Sequence, residues 1–525
     1  MPERSHDVIV VGSGATGGWA AYEFTRRGLR VLLLEAGAAL DPDADLHDDG
    51  AEAALLLERR PIQSTCHACT EGMAKLFVDD RDNPYVTARN THFRWIRSRQ
   101  LGGRTTVWSR HVYRFSDTQL RAGESDGLPG RWPLSYGELA PFYARVERRL
   151  GVSGRADRLD QLPDGWFVPC SPSPTLDRLA RRLEGALPRL RATPGRTVVP
   201  KPSTTSPGTC ARNDWRCHTW ASTSSLGSTI LAANATGLLT LRTDSIVSHV
   251  LVRAGRAYGV RYIDAKTETE HDAVSRAVVL SASTLESTRI LMHTNAQSSS
   301  AEIGSTSGVL GRHLMDHLFT EMVVSGPIDD AGEFNGKPGP YPSLCAPAVG
   351  RLLGRRDFAR DFSVMAGIRP AAQPGDGRTF WLVSYGEMLP DVRNRVTLDS
   401  GVDAWGIPVL RIECRLRDND RRMARSMKQV VTDLAEAISP ATWHGSAELQ
   451  TPGLAAHEVG TARMGSGPDT SVLNSWNQCW EIPNLLVTDG ACFPSIGFQH
   501  PTLTMMALTA RACDHLVELF SARVL

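Results

Sequence analysis

The chain has 525 residues, 41% of them hydrophobic, and its 58 basic and 57 acidic side chains leave a formal net charge of +1. This balance excludes the basic footprint of a nucleic-acid-binding protein and gives no attraction to an anionic membrane. No apolar run approaches the roughly eighteen residues of a transmembrane helix. The length exceeds what one hydrophobic core serves, so two domains are expected.

The first predicted strand begins by Asp7, which leaves no room for a signal peptide, so a cytoplasmic location is expected. Ten cysteines are scattered along the chain, and in a cytoplasmic protein these are mostly reduced thiols. Cys66-His67-Ala68-Cys69 lacks the second pair of a zinc site and the context of a thioredoxin-like dithiol. We therefore expect ordinary thiols there.

The chain opens with the pattern of a dinucleotide-binding unit. Residues 8–11 are a Val- and Ile-rich run typical of a buried parallel strand, and a helix is predicted over 15–27. Between them, Gly12, Gly14 and Gly17 form G-x-G-x-x-G, which suits a tight turn, close approach of a pyrophosphate, and packing of helix on strand. A tight turn alone would explain the glycines, but the order strand, turn, helix favours a nucleotide site.

A second strand, predicted over 30–34, ends at Glu35, about twenty residues after the glycines, where a ribose hydroxyl needs an acceptor. The neighbouring Ser13, Thr16 and Ala36 are predicted to contact the same cofactor. The glycines do not distinguish NAD from FAD. Because the sequence has no second glycine fingerprint to dock NAD(P)H, a bound FAD that the substrate reduces directly is favoured.

Apolar and alternating segments predict two further groups of elements and a final helix. The first group has strands at 246–252, 257–263 and 277–280 and a helix at about 285–293; the second has strands at 364–369, 380–385, 395–398 and 409–415 and an amphipathic helix at 418–438; the last helix is at about 503–520. The Ser- and Gly-rich stretch 295–308 and the Gly- and Pro-rich stretch 326–342 predict loops or crossovers between the groups.

Two histidines near the end of the chain, His457 and His500, could act on an alcohol. Removing a hydride from an alcohol carbon requires loss of the O–H proton, and imidazole, with an ordinary pKa of about 6.5, can accept it at neutral pH. A second histidine could hydrogen-bond the substrate oxygen and fix its orientation. Either alone could be structural, His457 at a helix end and His500 in a turn fixed by Pro501.

The chain resembles the glucose–methanol–choline (GMC) oxidoreductases, a family of FAD-dependent alcohol-oxidising enzymes. The resemblance spans nearly the whole chain and is carried by the N-terminal fingerprint and by residues 102–108, 394–398 and 457–511. Residues 77–85 and 488–492 are similar to the catalytic subunits of bacterial sugar dehydrogenases of the glucose 3-dehydrogenase and gluconate dehydrogenase type.

The resemblance implies roles for individual residues. His457 would be the base that takes the hydroxyl proton as hydride leaves for the flavin, and His500 the second member of the pair. FAD contacts beyond the fingerprint are implied for Gly102, Gly103, Thr106, Trp108, Val247, Ala282, Asp489, Gly490, Pro501 and Thr502. Gln499 and Met464 are expected at the substrate because they adjoin the histidine motifs, and His317 is expected to be structural because its motif is a domain crossover in relatives.

The sequence departs from these relatives at several positions. The sugar dehydrogenases more often have Asn where His500 stands, which leaves the electron acceptor open between oxygen, a quinone and a separate carrier. Some hold an iron–sulfur cluster on three cysteines; here Cys210 and Cys217 are present but Ala221 takes the third position, so no cluster is expected. Some relatives bind FAD covalently through a histidine. The matching residue here is Val107, and His111 is not expected to replace it, so FAD is predicted to be non-covalent.

The predicted fold is α/β, with a discontinuous Rossmann-like FAD-binding domain and an α+β substrate domain that contains an antiparallel sheet. The FAD-binding domain is assigned residues 1–150, 238–325 and 451–525, the substrate domain 326–450, and residues 151–237 a mixed connecting segment. The favoured function is oxidation of a CH–OH group of a sugar, glycoside, aminosugar or cyclitol. A non-redox FAD-containing lyase of the same fold and a binding subunit with a degenerate site are the alternatives; the intact histidines and glycines argue against the last.

Overall fold

A computed structural model describes residues 6–39, 50–69, 71–169, 174–199, 223–298, 300–325, 343–355, 357–369, 379–438, 443–444 and 447–525. The strands are β1 Val8–Val11, β2 Val31–Leu34, β3 Val86–Thr87, β4 Val152–Gly154, β5 Val168–Pro169, β6 Thr193–Pro194, β7 Thr197–Val198, β8 Leu239–Arg242, β9 Ser245–Arg253, β10 Arg256–Asp264, β11 Glu270–Val274, β12 Ala277–Leu280, β13 Leu318–Ser325, β14 Ser343–Ala346, β15 Phe362–Arg369, β16 Thr379–Gly386, β17 Arg395–Val402, β18 Pro408–Glu413, β19 Trp443–His444 and β20 Leu485–Val487.

The α-helices of the described residues are Ala15–Thr25, Gly50–Glu58, Asp117–Leu120, Ala122–Ser125, Tyr136–Leu150, Pro174–Ala186, Leu231–Asn234, Thr284–Gln297, Val349–Leu352, Asp418–Ile438 and Thr502–Ser521. Short 3-10 helices occupy Gln63–Thr65, Glu71–Leu76, Gly103–Thr106 and Gly490–Cys492, and a π-helix Leu226–Ile230. None of the helices in the described ranges is both long and apolar enough to span a bilayer.

A five-stranded parallel sheet with the order β20-β12-β1-β2-β8 carries the N-terminal motif. Every residue of β1, β2 and β12 is buried, as expected for parallel strands that are covered on both faces. The helices Ala15–Thr25 and Thr502–Ser521 pack against each other beside this sheet. The first and last parts of the chain therefore meet in one layer.

A six-stranded sheet with the order β19-β13-β16-β15-β14-β6 forms the second centre of the fold. Its four longest-paired strands, β13 to β16, are antiparallel. The helix Asp418–Ile438 covers it and buries an apolar stripe that includes Met423, Met427, Val430 and Leu434. This helix has the predicted bounds, because its apolar residues recur at helical spacing along its whole length.

Smaller sheets accompany these two centres. β9, β10 and β11 form an antiparallel meander, and β9 and β10 are joined at Ala254 and Gly255, both at positive φ, as the sequence predicts for a turn. β17 and β18 form a hairpin with β3 at its edge. The parallel sheet, the antiparallel sheet and the helices around them confirm the predicted α/β fold class.

One predicted boundary does not match the sheet topology. The sequence assigns residues 238–325 to the FAD-binding domain, yet β13 pairs along its whole length with β16, from Leu318 opposite Gly386 to Ser325 opposite Thr379. The predicted boundary rests on the Gly- and Pro-rich stretch that follows β13. The pairing places the change one strand earlier, because the buried Leu318, Met322 and Val324 pack in the antiparallel sheet's own core.

Candidate active site

A long cavity lies between the two large sheets. It is lined by residues at the carboxyl ends of β1 and β2, such as Val11 and Leu34, and by Phe319 and Tyr385 from the antiparallel sheet. Crevices at the carboxyl ends of parallel strands are the general ligand sites of such folds. A ligand held there would extend from the glycine turn to the antiparallel sheet.

The glycine turn leaves no room for side chains on its protein side and open space on its cavity side. A Cβ on Gly12, whose φ is +93°, would lie 2.4 Å from the Ser281 carbonyl oxygen, and one on Gly17 would lie 1.7 Å from the Gly12 oxygen. A Cβ on Gly14 would meet nothing within 4 Å. Gly17 itself does not line the cavity; its role is to let the helix approach β1.

Glu35 is held at the end of β2 by three donors. The backbone N–H of Ser13 donates to its Oε2 at 2.9 Å, and the Ser13 hydroxyl donates to the same oxygen. The backbone N–H of Gly37 donates to Oε1 at 2.9 Å. Burial raises the pKa of Glu35, and the hydrogen bonds from Ser13 and Gly37 oppose that rise. The carboxylate is thus fixed against the turn and still borders the cavity.

The double-glycine loop is attached to the same group. The Gly102 N–H donates to Ser13 Oγ at 2.9 Å, and a Cβ on Gly103 would lie 3.3 Å from Gly14 Cα. Gly103 and Trp108 line the cavity, whereas Gly102 and Thr106 do not. Thr106 instead accepts from Gln100 and donates to the Gly103 oxygen, so it shapes the loop from behind.

The structure brings most of the predicted cofactor contacts onto this one cavity. Those that line it are Gly12, Ser13, Gly14, Thr16, Glu35, Ala36, Gly103, Trp108, Val247, Ala282, Asp489, Gly490, Pro501 and Thr502. The indole N–H of Trp108 is buried and finds no acceptor among the described residues. The unpaired Trp108 N–H, the glycine turn without side chains on its cavity side and the fixed Glu35 carboxylate together fit a dinucleotide such as FAD.

Asp489 and Gly490 close one wall of the cavity. The Asp489 carboxylate accepts from the Ala491 N–H at 3.0 Å and from the Ser287 hydroxyl. Burial raises the pKa of Asp489 to about 6. Both residues follow β20 at the carboxyl edge of the parallel sheet. Because β1 is in the same sheet, they lie near the glycine turn at the start of the chain.

The two predicted histidines meet on the same cavity. The rings of His457 and His500 are edge to face with centroids 4.7 Å apart, and the ring of Tyr385 lies 4.7 Å from His500. His500 is buried, and His457 keeps part of its surface open to the cavity. Burial, followed by the neighbouring His500, lowers the pKa of His457 well below its usual value, and burial lowers that of His500 to about 4. Both are neutral imidazoles at pH 7.

His317 contacts the histidine pair from behind. Its Nδ1 lies 2.9 Å from His457 Nδ1, and its Nε2 lies 3.1 Å from the Gly497 carbonyl oxygen. The preceding Asp316 accepts from the backbone N–H of His457 at 3.0 Å and from that of Gly453 at 2.7 Å. The sequence predicts a structural role for His317; the structure places it in direct contact with the candidate base.

The two predicted substrate contacts lie elsewhere. Gln499 does not line the cavity, because its amide N–H donates to the Gln161 carbonyl at 3.1 Å and its amide oxygen accepts from the Phe498 N–H. Met464 is 1% exposed within the hydrophobic core around the parallel sheet. Neither residue therefore lines the cavity, and a contact of Gln499 or Met464 with the substrate stays a prediction.

Several cavity residues are not among the predicted site residues. They are Cys66, His67, Arg97, Arg99, Arg104, His111, Glu286, Arg289, Phe319 and Tyr385. Arg104 stands inside the double-glycine loop and pairs at 2.8 Å with the buried Glu458, next to His457. Val107, at the position where relatives attach FAD, also lines the cavity.

The cysteines of the described residues are free thiols, including Cys66 and Cys69. Cys66 borders the cavity, and burial raises the pKa of both thiols, that of Cys69 to about 12. No group of three or more His, Cys, Asp and Glu that could hold a metal occurs in the part of the chain that the structure describes. Cys210, Cys217 and Ala221, on which the prediction of no iron–sulfur cluster rests, lie outside the described residues.

Comparison with known families identifies the fold and the chemistry. Two family models described as GMC oxidoreductase match residues 198–319 and 390–509, and a model described as FAD binding domain matches residues 7–92. The chain belongs to the GMC oxidoreductase family. It is therefore an FAD-dependent oxidoreductase, as the sequence predicts.

Similar proteins cover the chain almost from end to end. It is 26% identical to 2-methyl-1,2-propanediol dehydrogenase of Mycolicibacterium austroafricanum over 98% of this chain and 96% of that protein. It is 26% identical to paromamine 6'-oxidase of Streptomyces fradiae (97% and 91% covered) and 24% identical to the gluconate 2-dehydrogenase flavoprotein of Pantoea cypripedii (96% and 92% covered). The crystal structure of pyridoxine 4-oxidase shares its fold, with a TM-score of 0.62, 16% identity and 98% and 99% of the two chains covered.

Proposed function

We propose that this GMC oxidoreductase oxidises a hydroxyl group of a small polyhydroxylated molecule, a sugar, glycoside, aminosugar or cyclitol, to a carbonyl. The observation that carries the proposal is the pair His457 and His500 on one cavity with the glycine turn and Glu35. FAD, when bound, supplies the hydride acceptor. The cofactor contacts proposed for this chain are the predicted residues that line the cavity, with Gly17, Gly102 and Thr106 supporting them from behind.

In this proposal His457 accepts the hydroxyl proton. Its lowered pKa keeps the imidazole neutral, so a ring nitrogen has a free lone pair at pH 7. A positioned base of this kind contributes roughly 10²–10⁴-fold in rate. The side chain faces the cavity from a main chain that Asp316 fixes by hydrogen bond, so the base has little freedom to move away from the substrate oxygen.

His500 would orient the substrate oxygen. It is neutral, lies 4.7 Å from His457 by ring centroids and is surrounded by Tyr385, Tyr113 and His111. Aromatic side chains around a polar group exclude water and strengthen its hydrogen bond to substrate. The hydroxyl to be oxidised would thus be held between the two imidazoles.

The substrate class rests on the relatives. They are named as a diol dehydrogenase, an oxidase of the aminoglycoside paromamine and a gluconate dehydrogenase flavoprotein. All three act on molecules that carry more than one polar group. The same names include both dehydrogenases and an oxidase, so oxygen, a quinone and a separate carrier all remain candidate electron acceptors, and a cytoplasmic location stays a prediction.

The proposed base is tested by His457→Gln, with rapid-mixing measurement of anaerobic flavin reduction by a substrate. The variant should bind FAD with an unchanged absorbance spectrum and reduce it ~10²–10⁴-fold more slowly. The matched control is His271→Gln, the same change at an exposed histidine of β11 that does not line the cavity, and it should reduce the flavin like the wild type. Full-rate reduction in His457→Gln would disprove the assigned base.

A further inference from the structure

Two adjacent residues of the crossover before β13 hold both the main chain and the side chain of His457. Asp316 accepts the His457 backbone N–H, and His317 contacts the imidazole through its Nδ1. Burial, followed by the nearby Glu458, raises the pKa of Asp316 to about 7. His317 is 3% exposed, so water does not compete for its ring nitrogens.

The hydrogen bond at the far side of His317 fixes where its proton lies. The partner of Nε2 is the Gly497 carbonyl oxygen at 3.1 Å, and a carbonyl oxygen can only accept. Nε2 of His317 must therefore carry a hydrogen. A neutral imidazole has one N–H, so Nδ1 of His317 is then an acceptor.

The tautomer of His317 determines the tautomer of His457. The two Nδ1 atoms lie 2.9 Å apart, and a hydrogen bond between them needs one donor and one acceptor. Since Nδ1 of His317 accepts, Nδ1 of His457 must donate. A neutral His457 with its proton on Nδ1 has an unprotonated Nε2, and no hydrogen bond engages that atom within the described residues.

We infer that His317 is a positioning residue: the chain from Gly497 C=O through His317 to His457 imposes the Nδ1–H tautomer on His457 and keeps its Nε2 lone pair free for the substrate proton. The inference deepens the proposed function and rests on it, because it explains how the proposed base is held in its reactive form. His317 does not line the cavity, and it acts through its contact with His457.

The alternative proton arrangement needs a charged His317. An imidazolium could donate from both nitrogens, to Gly497 and to His457, and would then leave His457 with its proton on Nε2, unable to act as base. Burial and the neighbouring His500 lower the pKa of His317 to about 3, which keeps the ring neutral at pH 7. The aromatic Tyr385, 5.7 Å from the His317 ring, adds no charge that would favour the imidazolium.

The tautomers are read directly by nitrogen NMR of the FAD-loaded enzyme labelled with ¹⁵N-histidine, because a protonated and an unprotonated ring nitrogen differ strongly in chemical shift. Signals of the pair are assigned by their loss in His457→Gln and in His317→Asn. We expect His457 protonated on Nδ1 and His317 on Nε2. A His457 protonated on Nε2 would overturn the inference, whatever the enzyme's activity.

A matched pair of variants separates positioning from a merely structural role. In His317→Asn an amide oxygen can still accept from His457 Nδ1–H, and flavin reduction should stay within ~10-fold of the wild type. His317→Leu has similar bulk and no acceptor, so reduction should fall ~10²–10⁴-fold while the flavin spectrum is kept, the size of loss found when a catalytic histidine takes the wrong tautomer. Equal losses in the two variants would contradict the inference.

Failure of the inference and failure of the proposed function give different results. If the wild-type flavin is reduced by a polyol but His457 carries its proton on Nε2, His317 has no positioning role. If no alcohol reduces the flavin, the proposed oxidation is wrong even where NMR shows the expected tautomers. The NMR measurement on the wild-type enzyme needs no substrate.

Discussion

The imidazole rings of His457 and His500 meet edge to face with centroids 4.7 Å apart, at the junction of the parallel and the antiparallel sheets. His457 follows the segment that crosses from the antiparallel sheet, and His500 directly precedes the helix Thr502–Ser521, which packs against the first helix of the chain. The candidate chemistry therefore depends on how the two sheets are joined. Changes at the junction test it most sharply.

Replacement of His500 by Asn, which has a side-chain amide, should cost less activity than replacement by Ala. In His500→Asn a side-chain amide can still hydrogen-bond the substrate oxygen, whereas His500→Ala removes the partner. We expect His500→Ala to lower kcat/KM ~10–100-fold, the range of a lost buried hydrogen bond, and His500→Asn to lose less. Steady-state kinetics of both variants with one substrate measure this; a larger loss for Asn than for Ala would refute the orienting role.

The pH dependence of kcat/KM should have an acidic limb below the usual histidine range. The neutral form of His457 is the active base, and burial lowers its pKa from 6.5, so the base stays unprotonated as the pH falls through 6.5. We expect kcat/KM to stay level from pH 8 to about 6.5 and to decline only at lower pH. The flavin spectrum at each pH controls for cofactor loss. A half-maximal value at or above pH 6.5 would contradict the lowered pKa.

Alanine substitutions at two glycines of the fingerprint should impair different properties, one the stability of the apoprotein and the other FAD binding. A Cβ at Gly17 would lie 1.7 Å from the Gly12 oxygen, so Gly17→Ala must push the first helix away from β1 and should lower the melting temperature of the apoprotein. A Cβ at Gly14 meets nothing within 4 Å but projects where the cofactor approaches, so Gly14→Ala should leave the apoprotein's melting temperature unchanged and weaken FAD binding. Thermal unfolding with and without FAD distinguishes them. Equal melting temperatures for the two apoproteins would be the contrary result.

Glu35 should be sensitive to loss of charge without loss of size. Both of its oxygens accept hydrogen bonds, one from the Ser13 N–H and the other from the Gly37 N–H. In Glu35→Gln the amide NH2 must therefore face one of these N–H donors. We expect the dissociation constant of FAD to rise ~10–100-fold, corresponding to about 1–3 kcal/mol for an unpaired buried group. Glu436→Gln, an exposed residue on the helix Asp418–Ile438, is the matched control and should bind FAD like the wild type. FAD titration of both apoproteins measures the difference.

Local patterns in the sequence predict much of this fold. The strand, the glycine turn and Glu35 are all contiguous signals, so the sequence alone places β1, β2 and the first helix. The helix Asp418–Ile438 and the hairpin of β9 and β10 are predictable for the same reason. His457 and His500 can be paired only through the family resemblance, since no local rule brings two such distant residues together.

The remaining site residues depend on contacts between distant segments. Tyr385 and Phe319 enter the cavity from two neighbouring strands, and only the register of β13 on β16, with Phe319 opposite Tyr385, places them side by side. The prediction of Gln499 and Met464 rests on adjacency to the histidine motifs, but adjacency does not determine where a side chain packs: Gln499 donates to the Gln161 carbonyl oxygen, and Met464 lies in the hydrophobic core. The sequence suggests only a structural role for His317, because its contact with His457 joins residues 140 positions apart.

The most direct test of the proposed function is anaerobic flavin reduction, followed by absorbance across a panel of sugars, glycosides, aminosugars and cyclitols. We predict that one of these classes reduces the flavin of the wild-type enzyme and that His457→Gln slows the same reaction. Admission of air then reports the acceptor, with fast reoxidation for an oxidase and slow reoxidation for a dehydrogenase. A flavin that no polyol reduces, in a protein that cleaves a cyanohydrin, would contradict the account and favour the lyase of the same fold.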